Sequence, residues 1–316
     1  MIDARNLTKR YGATLAVDDL SFSVEPGRVT GFLGPNGSGK STTMRMIVGL
    51  DAPTSGAVTV AGRAYGSLRF PLHEVGALLD ANAAHPSRSA RNHLNWLADS
   101  NKIPRSRVDA VLGVVGLTDA AHRRVGELSL GMGQRLGIAA ALLGDPAILI
   151  LDEPINGLDP EGIVWVRHLL RSLATEGRTV LVSSHLMTEM SLTADHLIII
   201  GRGRLIRDIS VSDFVRDSSR NVVRVRTPQA GELRELLLGP GVRVSSDERS
   251  VLEIEGLTSD DIGRSAASSG FVLYELTPVE VSLEEAFMAL THDDIEYRGS
   301  DSTVTTTVNE QERIAA

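Results

Sequence analysis

Gly34-Pro35-Asn36-Gly37-Ser38-Gly39-Lys40-Ser41 decides how the rest of this 316-residue chain is read. The stretch fits G-x-x-x-x-G-K-[ST], and it sits where the chemistry of that pattern requires. Ahead of it, Val29-Thr30-Gly31-Phe32-Leu33 reads as a buried strand; behind it, residues 41 to about 49 read as a helix. Glycines let successive backbone N–H groups curl around phosphate oxygens. The start of the following helix adds partial positive charge. Lys40 is expected to reach the β- and γ-phosphates of a nucleotide, and the Ser41 hydroxyl to ligate Mg²⁺. Residues 34–42, with Thr42 as the last, are therefore the expected nucleotide-binding loop. The lysine stands out in this composition. Only Lys9, Lys40 and Lys102 among the 32 basic residues are lysine, the other 29 being arginine. Position 40 calls for a compact ammonium on a flexible stem rather than a planar guanidinium.

A second acidic site lies downstream. Ile148-Leu149-Ile150-Leu151-Asp152-Glu153 is an apolar strand ending in two carboxylates. In an α/β sheet, ligands bind at the carboxyl ends of the strands. Asp152 is suited to holding Mg²⁺, usually through water, and Glu153 to orienting and polarising an attacking water.

Working outward, residues 1–216 alternate short apolar runs with longer helical patterns, the habit of an α/β domain. Residues 147–151, 179–183 and 197–200 read as further buried strands, the last followed by the turn Gly201-Arg202-Gly203. Residues 2–7, 16–24 and 57–60 read as a separate antiparallel β layer, and residues 88–143 as an inserted helical subdomain. Composition shifts at Asp217-Ser218-Ser219-Arg220. Residues 222–226, 242–245, 251–255 and 271–276 then read as strands, with 246–250 as a turn and 230–238 and 259–268 as helices. That β-α-β-β-α-β order suggests a small α+β, ferredoxin-like domain over 217–291. Its last element is an amphipathic helix over 282–290, with Leu283, Phe287 and Leu290 on one face. Residues 292–316, polar and Thr-rich, are expected to be disordered.

Composition excludes several functions. The absence of cysteine rules out a disulfide scaffold, a thiolate metal site and a cysteine nucleophile. A net charge of −8 gives no general argument for nucleic-acid binding. No stretch approaches the ~18–20 apolar residues of a membrane span. The longest runs, 136–143 and 147–151, are split by Gly144, Asp145 and Pro146. Met1-Ile2-Asp3-Ala4-Arg5 lacks the apolar core of a signal peptide. The chain is thus expected to be soluble and cytoplasmic, so that any work at a membrane needs a partner that spans it.

With these segments in place the chain resembles an ABC-type ATPase subunit over about residues 2–215, a P-loop NTPase. Tyr11, in Lys9-Arg10-Tyr11-Gly12, matches the aromatic that stacks on adenine. Leu128-Ser129-Leu130-Gly131-Met132, followed by Gln134-Arg135, resembles the signature motif before its helix. Asn156-Gly157-Leu158-Asp159 resembles the D-loop. His185, after Val182-Ser183-Ser184, resembles the switch histidine that senses the γ-phosphate. Asp80, ending Val75-Gly76-Ala77-Leu78-Leu79-Asp80, falls where the family has its Q-loop glutamine. The usual signature reads L-S-G-G-Q, whereas Leu130 and Met132 stand at its third and fifth positions. Ser129 and Gly131 remain, the residues whose hydroxyl and N–H contact the γ-phosphate. Ionised Asp80 accepts only, where a glutamine amide also donates; near Mg²⁺ it would ligate the metal or its water. Both departures resemble the antibiotic-resistance branch, typified by daunorubicin-resistance-type exporters. That branch carries an extra C-terminal domain ending in a helix like Leu283-Glu284-Glu285-Ala286-Phe287.

The resemblance implies a mechanism. ABC subunits hydrolyse ATP between two ATPase domains, the phosphate loop of one facing the signature of the other. One copy of each motif implies a dimer of identical chains, held together by ATP and Mg²⁺. Lys40 and Ser129 in trans would offset charge on the γ-phosphate, while Glu153 and His185 would organise the attacking water. The movement would pass to an integral membrane permease, a separate chain carrying a drug or similar small molecule. The chain would then lie peripherally on the inner face of the cell membrane. The Asp80 loop and residues 88–143 are the expected contact surface; His85-Pro86-Ser87-Arg88-Ser89-Ala90-Arg91 belongs either to it or to a solvated basic loop. Other cargoes, a soluble ABC ATPase of translation or DNA repair, and a P-loop kinase are the competing readings. The last would not need residues 128–132.

Overall fold

The computed structural model describes residues 1–81, 83–184, 187–218, 222–279 and 283–291. The chain opens with a hairpin of β1 (Ile2–Tyr11) and β2 (Thr14–Val24). β3 (Val29–Leu33) is buried at every residue, the pattern of a strand covered on both faces. The phosphate loop follows and runs into α1 (Lys40–Ile47), after which β4 (Ser55–Val60) returns to pair with β1. The antiparallel layer has the order β2-β1-β4.

A second sheet carries the chemistry. It contains β5 (Val75–Leu78), β6 (Ile148–Leu151), β7 (Thr179–Ser183), β8 (His196–Gly201) and β9 (Arg204–Ser210) alongside β3. Its order is β5-β6-β7-β3-β8-β9, parallel except for the last pair. Three adjacent strands, β6, β7 and β3, therefore end on one sheet edge. β6 delivers Asp152 and Glu153, β7 ends at Ser183, and β3 feeds the phosphate loop.

Helices cover this sheet. α2 (Ala90–Ser100), α3 (Ser106–Val114) and α4 (Leu130–Leu142) fill the interval between β5 and β6. α4 lies hard against β5: a Cβ on Gly76 would fall 1.9 Å from the Ala141 carbonyl oxygen. Only glycine allows that approach. α5 (Pro160–Thr175) and α6 (Met187–Thr193) flank β7, and α7 (Val211–Ser218) follows β9.

β9 and α7 extend the fold beyond the turn at residues 201–203, where the sequence reading stops. β9 is an edge strand with no fully buried residue, so its sequence lacks the apolar alternation that announces a strand. α1 also starts one residue early, with Lys40 itself in the first turn.

The C-terminal segment forms β10 (Val222–Arg226), α8 (Ala230–Leu237), β11 (Arg243–Glu248), β12 (Val251–Glu255), α9 (Ser259–Ser268) and β13 (Glu275–Val279). The sheet order β11-β12-β10-β13, antiparallel throughout, is that of a ferredoxin-like unit. Two details correct the reading. β11 continues to Glu248 through an irregularity after Ser245, so the turn is shorter than 246–250. The last strand begins at Glu275 rather than 271. Before it, the Phe271 N–H donates to the Ala266 carbonyl and the Val272 carbonyl accepts from the Thr227 hydroxyl, so these groups are not free for a strand ladder. Pro278 is tolerated because β13 is an edge strand.

The helix α10 (Leu283–Thr291) packs on α6 and α7, and its Leu283 and Phe287 join the core of the first unit. The sequence reads this helix as the last element of the 217–291 segment, and its contacts run to α6 and α7. An amphipathic pattern shows that a face is apolar but not which surface it will cover. Burying side chains of this kind contributes about 1.5–3 kcal/mol each. Leu290's side chain, His185 and the 292–316 tail lie outside the described residues.

Candidate active site

A cleft of about 490 Å³ opens at the shared strand edge. Its walls include Asn36, Gly37, Ser38, Gly39, Lys40, Ser41 and Thr42 from the loop, Asp80 from the end of the β5 segment, and Asp152 and Glu153 from β6. The loop is shaped by backbone that side chains rarely adopt. Gly37 has φ 82° and Gly39 φ 99°. A Cβ on Gly34 would lie 2.5 Å from the Ile200 carbonyl, and one on Gly39 2.5 Å from that of Ala16. Pro35, between Gly34 and Asn36, accepts the Ser38 N–H at 3.1 Å.

Lys40 is almost wholly buried, and its Nζ donates to the carbonyls of Gly34 at 2.6 Å and Pro35 at 3.1 Å. Burial pushes its pKa down, and the nearby charges of Glu153 and Asp152 push it back up. The ammonium is thus held in a partly desolvated place, where an anion gains most from it. The buried Ser38 hydroxyl has no partner. A loop bent by Gly37 and Gly39 around a buried ammonium fits a phosphate.

Ser41 Oγ donates to Asp152 Oδ2 at 2.7 Å. Both are hard oxygen donors, and among the described residues no group of three His, Asp or Glu side chains is placed to hold a metal alone. That set suits Mg²⁺, which takes one or two protein oxygens and completes its shell with phosphate and water. Ser41 and Asp152 would hold Mg²⁺ there, and the ion would supply positive charge against a bound phosphate. Asp152 Oδ1 also accepts from Ser183 Oγ, which fixes the carboxylate's direction.

Glu153 adopts φ 50°, the left-handed region, at a cost of about 1–2 kcal/mol. Two bonds to its backbone hold it there. Its N–H donates to Ser183 Oγ at 2.9 Å, and its carbonyl accepts from Gln134 Nε2 at 2.9 Å. Gln134 is buried in α4. The sequence pattern assigns Gln134 and Ser183 no role, because their effect depends on a fold that brings α4 and β7 to the end of β6. Gln134→Ala should lower thermal stability by about 1–3 kcal/mol, the cost of leaving a buried carbonyl unsatisfied. It should also slow turnover while KM for ATP holds, which calorimetry and steady-state phosphate release would check.

Other expected site residues stand apart from this cleft. Ser129 caps α4, its Oγ accepting the Met132 N–H at 3.3 Å. Asp159 caps α5, accepting the Gly162 N–H at 2.9 Å. Neither they nor Gly131 line the cleft, whereas Leu130 and Asn156 do. Gly131 and Gly157 pack closely, since a Cβ on Gly131 would lie 2.9 Å from the Gly157 carbonyl. The signature-like and D-loop-like segments of one chain thus brace each other. Tyr11 also stands outside the cleft. Its hydroxyl donates to Asp51 at 2.8 Å, Lys9 Nζ lies 4.8 Å from the ring centroid, and the ring is half exposed.

Comparison with known proteins places this geometry. A family model described as ABC transporter matches residues 17–156, and one described as a domain of unknown function (DUF8746) matches 221–284. An uncharacterized ABC transporter ATP-binding protein, YhcH of Bacillus subtilis (strain 168), is 35% identical over 302 residues, covering 92% of this chain and 96% of its own. The chain belongs to the ABC transporter ATP-binding proteins. This ABC protein is also 42% identical over 212 residues to the bacitracin transport ATP-binding protein BcrA of Bacillus licheniformis, across 66% of this chain and 69% of that one. Among solved structures it resembles the dimeric, post-hydrolysis ATP-binding cassette MJ0796 bound to ADP and Pi. The TM-score is 0.62 at 25% identity, over 67% of this chain and 99% of that one. As a member of the family, the ABC protein binds ATP and couples its hydrolysis to transport.

Proposed function

We propose that this ABC ATPase works as a homodimer on the cytoplasmic face of the membrane and powers export of an antibiotic-like small molecule through a separate permease. The carrying observation is that the cleft is half of a site. It holds the phosphate loop, Asp80, Asp152 and Glu153, while Ser129 and Gly131 lie off its walls. A second copy presenting Ser129 and Gly131 would complete it, with Lys40 and Ser129 offsetting γ-phosphate charge. Glu153 and His185 would direct the water, and Tyr11 would stack on the base. Asp159 would help to join the two copies, and Asp80 would bind Mg²⁺ or its water. The dimeric state named for MJ0796 supports this arrangement.

A second groove, about 810 Å³, adjoins the Asp80 loop and is lined by Leu72, Leu79, Ala84, Trp96 and Leu97 among others. It supports the reading that this face receives the permease. No helix among the described residues is long and apolar enough to cross a membrane, which leaves the pore to that partner. The relative named for bacitracin transport supports a small-molecule cargo. The test is co-purification with a six-span membrane protein encoded beside it, then transport in inside-out vesicles. ATP-dependent uptake of bacitracin or a similar drug is expected. Stable pairing with transport of only a lipid or an ion would replace the cargo, and failure to pair would remove the transport reading.

A further inference from the structure

α1 carries Lys40, Ser41 and Thr42 in its first turn, and its far end folds the chain back on itself. Gly49 takes φ 68°, and the N–H groups of Leu50 and Asp51 both donate to the Arg45 carbonyl, at 2.9 and 3.3 Å. A left-handed glycine just past the last turn commonly satisfies a helix's final carbonyls in this way. Asp51 is thereby brought beside the end of β1. Its Oδ2 accepts two hydrogen bonds at once, from the Tyr11 hydroxyl at 2.8 Å and from Arg45 Nε at 2.7 Å, and its side chain is only 18% exposed. The following residues repeat the join. Lys9 Nζ donates to the Ala52 carbonyl at 2.6 Å, the Arg10 N–H to Thr54 Oγ1 at 3.0 Å, and the Thr54 N–H to the Thr8 carbonyl at 2.7 Å. Thr42, a wall residue of the cleft, also neighbours the Tyr11 hydroxyl. The Tyr11 ring itself stays 46% exposed. An exposed aromatic ring is thus fastened by its polar end to the helix that leaves the phosphate loop.

We propose that Asp51 is a positioning residue for the nucleotide's base: it tethers the Tyr11 ring to α1, at a fixed place relative to the phosphate loop. Base and phosphates are then gripped by one joined piece. The inference rests on the reading of Tyr11 as the residue that stacks on the base. Arg45 holds the carboxylate from its other side. A surface Arg–Asp pair by itself contributes little; this one matters because the same oxygen holds the tyrosine. A half-exposed tyrosine without that bond samples several staggered rotamers. Ordering such a side chain at the moment of binding costs about two- to fivefold in affinity, and a ring already held in place avoids that loss. Lys40, Ser41 and Asp152 make their own hydrogen bonds, none of them to Asp51 or Tyr11. The effect therefore falls on KM for ATP rather than on kcat.

The test is steady-state phosphate release over a range of ATP concentrations, with the full-length chain and its variants. Tyr11→Phe removes the hydroxyl and keeps the ring, and Asp51→Ala removes the acceptor. Each is expected to raise KM for ATP about three- to fivefold while kcat stays within about twofold. The double variant should be no worse than either single one, because both remove the same bond. Asp51→Asn, which keeps an acceptor oxygen, should recover most of the affinity. If Asp51→Ala does not yield folded protein, Tyr11→Phe carries the test, since it deletes only a hydroxyl from a half-exposed ring. An unchanged KM in Tyr11→Phe overturns the inference, as does a loss carried mainly by kcat, the mark of a displaced α1. Effects that multiply in the double variant overturn it too. Tyr11→Ala separates the two levels, with a rise in KM of at least about tenfold expected from loss of the base–aromatic stack. An unchanged KM in that variant removes the reading of Tyr11 itself. A raised KM there beside a normal Tyr11→Phe and Asp51→Ala removes only the role of Asp51.

Discussion

Lys40→Ala is expected to abolish measurable ATP hydrolysis, with kcat lower by at least about 10²–10³-fold, the cost of removing one preorganised charge donor. The ammonium is buried at the mouth of α1 and bonded to the carbonyls of Gly34 and Pro35. It therefore holds the loop's shape as well as its charge. Alanine removes both functions and takes the ammonium donor away from the Gly34 and Pro35 carbonyls. Lys40→Arg should fail nearly as badly, because a planar guanidinium cannot take the place of a compact ammonium in a cradle this tight. Phosphate release and nucleotide binding, measured beside circular dichroism to confirm folding, check both variants. Normal turnover in Lys40→Ala would remove the phosphate-loop assignment.

Glu153→Gln is expected to leave ATP binding intact, reduce hydrolysis by about 10²–10⁴-fold, the usual contribution of a positioned general base, and accumulate an ATP-bound dimer. The geometry makes this substitution clean. The strained backbone at position 153 is held by its N–H on Ser183 and its carbonyl on Gln134, and neither bond involves the carboxylate. Glutamine keeps the shape and loses the base. Size-exclusion chromatography with Mg-ATP should show a shift from monomer to dimer. If the variant stays monomeric with Mg-ATP, and the wild type hydrolyses ATP as a monomer, the shared-site arrangement fails.

The sequence made the chemistry of the cleft legible because each piece is local. Residues 34–41 carry their own turn requirements, and residues 148–153 carry a buried strand with its carboxylates in one run. The C-terminal sheet was legible for the same reason: β10 and β12 match their apolar runs, and α9 has a Thr258 cap. What escaped depends on partners distant in sequence. Among the described residues β9 pairs only with β8 and stays half exposed, so its composition resembles a loop. Gln134 meets Glu153 across nineteen positions, and Ser183 meets Asp152 across thirty-one. The burial of Phe287 needs α6 and α7, far upstream, to be in place. Polar contacts and docked helices of this kind leave no periodic trace.

α10 has one more consequence, for the order in which the molecule is made. A chain emerging from the ribosome folds its N-terminal domain first. Here the apolar side of α6 waits for Leu283 and Phe287, which arrive after the entire C-terminal sheet has been synthesised. The buried cluster that α6 belongs to is therefore not drawn from a contiguous stretch of sequence, and it closes only when the final described helix arrives. A nascent or truncated chain ending near residue 218 would lack the helix that packs on α6 and α7, so the cluster that includes Met187, Met190 and Phe214 is completed only with Leu283 and Phe287.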